Sequence, residues 1–297
     1  MARKLRAAGV ELVREWLTQD GDEIGQINRV DGGYSVNYFG VADFFVSSDG
    51  LDTRVVSTFT DSEHGVEHVY RNQILPMALS RQGRLVVHAS ALDSCGKCVA
   101  FIGTSGRGKS TLAASFALIG YPFLTDDGLV VTVVDGIHSG SPRKALLSLR
   151  EASKQHFEKT SALPIEALLR GPKWAIEGGA QMPHCDRTLP LSGLYFLGEG
   201  VANDVQIEPM GPHQAIQLLL SNTFVLDTTD KVALQVHFRQ ISNLVAEVPC
   251  YSLDYPRDFD AMPLLRAQLG AHMAGDPARA RPERALGKSG VASKQPA

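Results

Sequence analysis

The run Gly103-Thr104-Ser105-Gly106-Arg107-Gly108-Lys109-Ser110 constrains this chain more than any other stretch. A glycine spacing of this kind is useful only when a strand leads into it and a helix leads out. Both flanks fit: the apolar CVAFI precedes it and the helix-like TLAASFALI follows. In that context the glycines let backbone N–H groups converge on a β-phosphate, and Lys109 neutralises β and γ oxygens. Ser110 offers a hydroxyl to magnesium, and the helix N-terminus adds its partial positive charge. Gly103, Thr104, Ser105, Gly106, Arg107, Gly108, Lys109, Ser110 and Thr111 are thus the expected nucleotide-binding residues. A glycine-rich turn that binds nothing is the competing reading, and the flanking strand and helix count against it.

The helix after the loop should stop at Gly120, with Pro122 blocking continuation. A helix of about 12 residues descends about 18 Å at 1.5 Å per residue. About six residues of loop and strand at 3.3 Å each climb back the same distance. The strand FLTDD therefore returns Asp126 and Asp127 level with the phosphates, at the strand ends where open α/β sheets bind ligands. Paired carboxylates there suit magnesium and a general base, although Asp-Asp-Gly is also a turn sequence. Leu85-Val86-Val87-His88-Ala89-Ser90 reads as a strand carrying one histidine. If HASAL and VAFIG form a hairpin about Gly96, His88 falls at the same sheet end. There it is either a satisfied structural residue or a proton carrier near neutral pH.

Around this segment the pattern changes twice. From about 22 to 60, short alternating stretches punctuated by Asp31-Gly32-Gly33 and Asp49-Gly50 predict antiparallel strands, and residues 63 to 82 predict a helical bridge with Pro76 as a kink or a break. Strand, glycine-rich loop, helix and strand between 85 and 134 are the grammar of an α/β domain. Further on, LREASKQHFEKT, IEALLR, AIQLLLSN from Pro212, residues 230 to 247 and FDAMPLLRAQLGAHM read as helices, while SGLYFLG and VPCYSLDY read as strands. The expected organisation is a β-rich region with its helical bridge over 1–82, an α/β domain over 83–273, and a disordered tail over 274–297, which is polar and rich in Gly, Pro and Ala.

A chain of 297 residues with 44% hydrophobic and 21% charged residues can bury a large core. Its net charge of -3 supplies no basic field for nucleic acid, and no apolar run reaches the roughly 20 residues that span a bilayer. The chain reads as untargeted and cytoplasmic, with neither nucleic acid nor membrane among its partners. Of four cysteines, Cys185 and Cys250 stand alone, while Cys95-Gly96-Lys97-Cys98 lacks the second ligand pair that zinc needs and the helix start that a redox motif needs. A hairpin turn on Gly96 is the expectation, with a reversible disulfide as the alternative. His64 and His68 share a helix face without a third ligand, which favours an ordinary surface over a metal site. Arg143 and Arg239 have the guanidinium groups to contact phosphate.

The stretches LVVHASAL, GTSGRGKSTLAASFALIGYPFLTDD, PLSGLYFLG and VPCYSLDYPRDFDAMPLL, spanning roughly 85 to 270, resemble the HPr-serine kinase/phosphorylases and the shorter HPr-kinase-related proteins. The resemblance implies an α/β P-loop fold similar to that of phosphoenolpyruvate carboxykinase, and transfer of the γ-phosphoryl group of ATP to a serine hydroxyl. It implies Lys109 on the phosphates, Ser110 on Mg2+ and Asp126 as the base that takes the serine proton. His88 matches the family's active-site histidine, and Asp127 beside the base is the second candidate metal ligand. Expected partners are the nucleotide, a protein or peptide serine, and further copies of the chain, since the longer relatives form hexamers. The family's downstream magnesium glutamate has no counterpart here, because the comparable stretch is Ser141-Pro142-Arg143-Lys144, and Glu151 lies nearby in an unrelated setting. No equivalent of the C-terminal segment linked to the phosphorylase reaction is found. An ABC-type ATPase is disfavoured by the missing LSGGQ-like signature. A non-catalytic ATP-binding regulator or scaffold, and a kinase of a small-molecule hydroxyl, remain the alternatives.

Overall fold

The computed structural model describes residues 10–17, 20–161, 167–170 and 173–275. Five strands come first: β1 (Glu11–Leu17), β2 (Glu23–Val30), β3 (Gly33–Tyr38), β4 (Ala42–Ser47) and β5 (Thr53–Thr58). They pair antiparallel in that order. The period-two pattern expected over 22 to 60 is the burial pattern found: Ala42, Phe44 and Val46 of β4 are buried and their neighbours are not. The sequence reading missed β1. An edge strand buries little, and no position of β1 is fully buried, so its apolar pattern is weak.

The helical bridge is α1 (Glu63–Val69), a π-helical turn over Tyr70–Ile74, and α2 (Leu75–Arg81). The irregularity expected at Pro76 sits just before it. Proline has no N–H and its ring crowds the carbonyl four residues back, and a widened turn relieves both conflicts.

There follow β6 (Leu85–Val87), β7 (Ala89–Ser94), β8 (Lys97–Ile102), α3 (Lys109–Ala117), β9 (Phe123–Thr125), β10 (Leu129–Val134), β11 (Ile137–Ser141), β12 (Leu146–Leu149) and α4 (Glu151–Ser161). The remainder is β13 (Ala167–Arg170), β14 (Lys173–Glu177), β15 (Leu189–Leu197), β16 (Gln206–Pro209), α5 (Pro212–Ser221), α6 (Lys231–Glu247), β17 (Cys250–Asp254), a 3-10 turn at Phe259–Ala261 and α7 (Met262–Met273). The main sheet runs β6-β10-β11-β15-β8-β7-β9, with β17 paired to β15 and β16 paired to β17. β8, β15 and β17 are mutually parallel through β15, and the other pairs are antiparallel. β15 joins the two halves: Leu189 and Pro190 pair with β11, whereas the rest of the strand pairs with β8 and β17, so the sheet curls. β12, β14 and β13 form a separate small sheet.

Mixed α/β architecture with an antiparallel N-terminal sheet is therefore observed. Val99 and Phe101 of β8 join the cluster of α3 and α7, with Leu112, Phe116 and Leu265. Cys98, Ala100 and Ile102 join the opposite cluster, with Leu219 of α5 and Ile241 and Leu244 of α6. Cover on both faces is why CVAFI is continuously apolar. A third cluster joins Phe44 and Val46 of the N-terminal sheet to Met77 of α2, Val86, Val130, Phe224 and Leu226.

Two sequence expectations are corrected. LVVHASAL is not one strand: β6 pairs with β10, β7 pairs with β8 and β9, and the break falls at His88, whose N–H donates to Asn222 O at 2.6 Å instead of joining a ladder. Of IEALLR, expected as a helix, Ala167–Arg170 is instead a strand paired antiparallel with β14, which satisfies a backbone too short to make a stable helix, while Ile165 and Glu166 lie outside the described residues. The hairpin about Gly96 forms. Cys95 and Gly96 have φ of 54° and 80°, the doubly left-handed pair of a two-residue turn, and Gly96 N–H donates to Asp93 Oδ1 at 2.6 Å. Both thiols of Cys95 and Cys98 are free. No described helix is long and apolar enough to cross a membrane. The tail expected from 274 lies, from residue 276 on, outside the described residues.

Candidate active site

The glycine-rich loop connects the end of β8 to the start of α3. Gly103, Gly106 and Gly108 take φ of 157°, 89° and 92°, positions where a side chain would be strained. Lys109 begins α3, is 5% exposed, and turns its Nζ back onto the loop, donating to Gly103 O at 2.6 Å and Thr104 O at 3.3 Å. Burial lowers its pKa to about 8, with Asp127 and Asp126 opposing the shift. Arg107 swings outward to Glu199 at 2.8 Å, and Thr111 Oγ1 lies 2.9 Å from Ser153 Oγ.

β9 runs in the same direction as β8, with β7 between them, so the chain leaving Thr125 reaches the loop's end of the sheet as the rise arithmetic predicted. Asp126 is the first residue past β9. Its Oδ1 accepts from Ser90 Oγ at 2.5 Å and Ser110 Oγ at 2.9 Å, and its Oδ2 accepts from Ser148 N at 2.8 Å. Burial, reinforced by the neighbouring Asp127 charge, nonetheless pushes its pKa up to about 6. Asp127 is 7% exposed, holds a left-handed φ of 63°, and faces Lys173 Nζ at 3.6 Å. Asp is among the few side chains that tolerate that backbone.

His88 Nδ1 lies 3.1 Å from Asp127 O. A carbonyl only accepts, so Nδ1 carries the proton and Nε2 is left as an acceptor. Burial, with Lys109 nearby, lowers the His88 pKa and keeps the ring neutral at pH 7.

Two cavities meet at the carboxylates, and a third of about 270 Å³ borders His88, Thr104 and Ser105. The smaller of the two, about 70 Å³, is lined by Ser105, Gly106 and Gly108 to Thr111 together with His88, Asp127 and Arg150. The larger, about 300 Å³, is lined by Asp126, His68, Arg71, Arg143, Lys144 and Leu146 among others. Ser148 and Lys173 line both, so the two spaces share a wall. The hydroxyl of Ser110 and the carboxylates of Asp126 and Asp127 are hard oxygen donors of the kind magnesium takes, and Lys109, Arg150 and Lys173 are cations suited to phosphate oxygens.

Lys109, Ser110, Asp126, Asp127 and His88 are thus brought together. Glu151 is exposed at the start of α4, bonded to Trp174 Nε1 and Gln155, and lines neither cavity. Arg239 is exposed on α6 and lines neither, whereas Arg143 lines the larger. Ser90, Ser148, Arg150 and Lys173 were not anticipated. Ser90 could have been found, because it sits two residues from His88 in the same stretch. Ser148 and Lys173 come from β12 and β14 of the separate small sheet, whose docking no local pattern announces.

No family model matches the chain, and no curated protein matches it. Among solved structures, the chain is similar to the Hpr(Ser) kinase/phosphatase from Coxiella burnetii at 11% identity and a TM-score of 0.33, over 65% of this chain and 93% of that one. A likeness at that level defines neither fold nor reaction, and the site stands on its own geometry.

Proposed function

We propose that the protein is a nucleotide-dependent kinase, taking the γ-phosphoryl group of ATP to an acceptor hydroxyl. The observation that carries this reading is Asp126, a carboxylate bonded to the loop hydroxyl of Ser110 while lining the larger cavity beside the phosphate-sized one. A base with a pKa near 6 is ionised at neutral pH and still accepts a proton readily. Lys109 and the loop N–H groups hold phosphate oxygens, with Arg150 and Lys173 adding charge from the cavity wall. Ser110 donates its proton to Asp126, which leaves its oxygen lone pairs free for a cation, and Asp127 presents a second carboxylate on the phosphate side. When bound, magnesium supplies neutralisation of the developing phosphate charge. His88 fixes the Asp127 carbonyl and so the turn that aims both carboxylates. Positioning and charge are what such a transfer requires of a protein.

The test is transfer of labelled γ-phosphate from Mg-ATP into an extract of the source cells by the wild type, Asp126→Asn and Lys109→Ala. Wild-type labelling lost in Asp126→Asn, with nucleotide binding retained, supports the reading. Binding without labelling of any acceptor in any fraction would leave a non-catalytic ATP-binding module.

A further inference from the structure

The larger cavity is where an acceptor must lie to present a hydroxyl to Asp126. Its volume of about 300 Å³ holds about ten water-sized groups at about 30 Å³ each. That is room for a small molecule, at the lower limit of ligand sites in general.

Its charge is lopsided. Arg71, Arg143, Lys144 and Lys173 face Glu67 and Asp126. Glu67 accounts for Arg71 at 2.7 Å and Lys144 at 3.9 Å, and Lys173 faces Asp127 at 3.6 Å. Arg143 is different. Its Nη2 donates to Arg71 O at 2.8 Å, and it has no carboxylate within 4.0 Å among the described residues. Burial lowers its pKa and outweighs the attraction of Asp127, which acts only from beyond 4.0 Å, with Arg71 adding repulsion, so a half-buried cation is left without a close partner. Gly128 makes the position available: a Cβ there would come within 2.6 Å of Arg143 Nη1. The backbone two residues past Asp126 is therefore cut away where the guanidinium lies. Its planar fork matches a carboxylate or phosphate.

We propose that the acceptor is a small anionic alcohol, a hydroxyl compound bearing its own carboxylate or phosphate, bound with its hydroxyl at Asp126 and its anionic group at Arg143. This rests on the kinase reading and names its substrate class. In the step, the acceptor hydroxyl gives its proton to the Asp126 carboxylate and its oxygen forms a bond to the γ-phosphorus. The bond from that phosphorus to the β–γ bridging oxygen breaks, ADP departs, and Asp126 returns the proton to water.

The experiment splits a source-cell extract into a small-molecule ultrafiltrate and a macromolecular fraction, and offers each to the full chain with labelled Mg-ATP. The expected product appears in the ultrafiltrate, and after phosphatase treatment the recovered acceptor still binds an anion exchanger. With that product in hand, Arg143→Met raises the acceptor KM about tenfold or more, as loss of a charge-assisted hydrogen bond requires, while nucleotide affinity is unchanged. Label confined to macromolecules overturns the proposal and leaves the kinase reading intact. A labelled small molecule that is uncharged once dephosphorylated, or an unchanged KM in Arg143→Met, overturns it as well. If neither fraction is labelled although Mg-ATP binds, the kinase reading fails and the acceptor class falls with it.

Discussion

Ser110 Oγ donates to Asp126 Oδ1 at 2.9 Å, joining the first turn of α3 to the first residue past β9. Ser90 and Ser148 N–H add two more donors to the same carboxylate. Three donors favour the charged form, yet burial and the Asp127 charge outweigh them and leave the pKa near 6.

A pH signature follows from that balance. The folded state binds this proton more tightly than the unfolded chain, whose Asp titrates near 3.8. Folding stability from Asp126 therefore increases as pH falls through 6 and levels off below 3.8. Chemical denaturation between pH 7 and pH 5 should show the wild type gaining stability relative to Asp126→Asn. Phosphoryl transfer should move oppositely, rising as pH climbs through about 6. A flat stability difference across that window would remove the basis for Asp126 as a tuned base.

Lys109 makes a second prediction. With its pKa near 8 in the free protein, it is partly neutral at pH 8.5, and phosphate oxygens would restore the charge. Binding of Mg-ATP above pH 8 is expected to take up protons, and affinity should fall as pH rises further. Calorimetry in two buffers of different ionisation enthalpy reads the uptake directly. Lys109→Met should abolish the uptake.

Asp227 is 2% exposed and accepts from Arg29 at 2.6 Å, Tyr34 at 2.9 Å and Thr229. Burial alone would raise its pKa, but the Arg29 and Thr229 bonds prevail and hold it below the ordinary carboxylate value. A depressed pKa contributes stability that is complete above pH 3.8 and drains away as pH falls below it. Asp227→Ala should cost about 2 kcal/mol at pH 7, as loss of a hydrogen bond to a charged partner does. The loss should vanish in denaturation curves taken at strongly acid pH.

The hairpin at Cys95 offers a gain instead. Cysteine holds a left-handed φ of 54° there, a conformation that Asn adopts more readily. Cys95→Asn should stabilise the protein by about 0.5 kcal/mol, measured by thermal unfolding under reducing conditions.

What could be read in advance was local. The loop, its helix, and the return of Asp126 follow from spacing and rise per residue, because one short segment builds all three. Sequence reading stopped where distant parts meet. The break at His88 depends on a carbonyl at Asn222, and the wall between the cavities depends on Ser148 and Lys173 from a sheet that packs in from elsewhere. The strand at Ala167–Arg170 exists through its partner β14, and four residues carry too little pattern to announce that pairing.

The third apolar cluster carries a consequence for ancestry and for unfolding. Phe44 and Val46 cover Val86 and Val130, so the main sheet buries part of its own strands beneath the N-terminal one. A recombination breakpoint at residue 82 would hand on a glycine-rich loop with an uncovered flank. The main sheet therefore keeps Val86 and Val130 out of water only with the N-terminal sheet in place, so the two are expected to unfold as one cooperative unit.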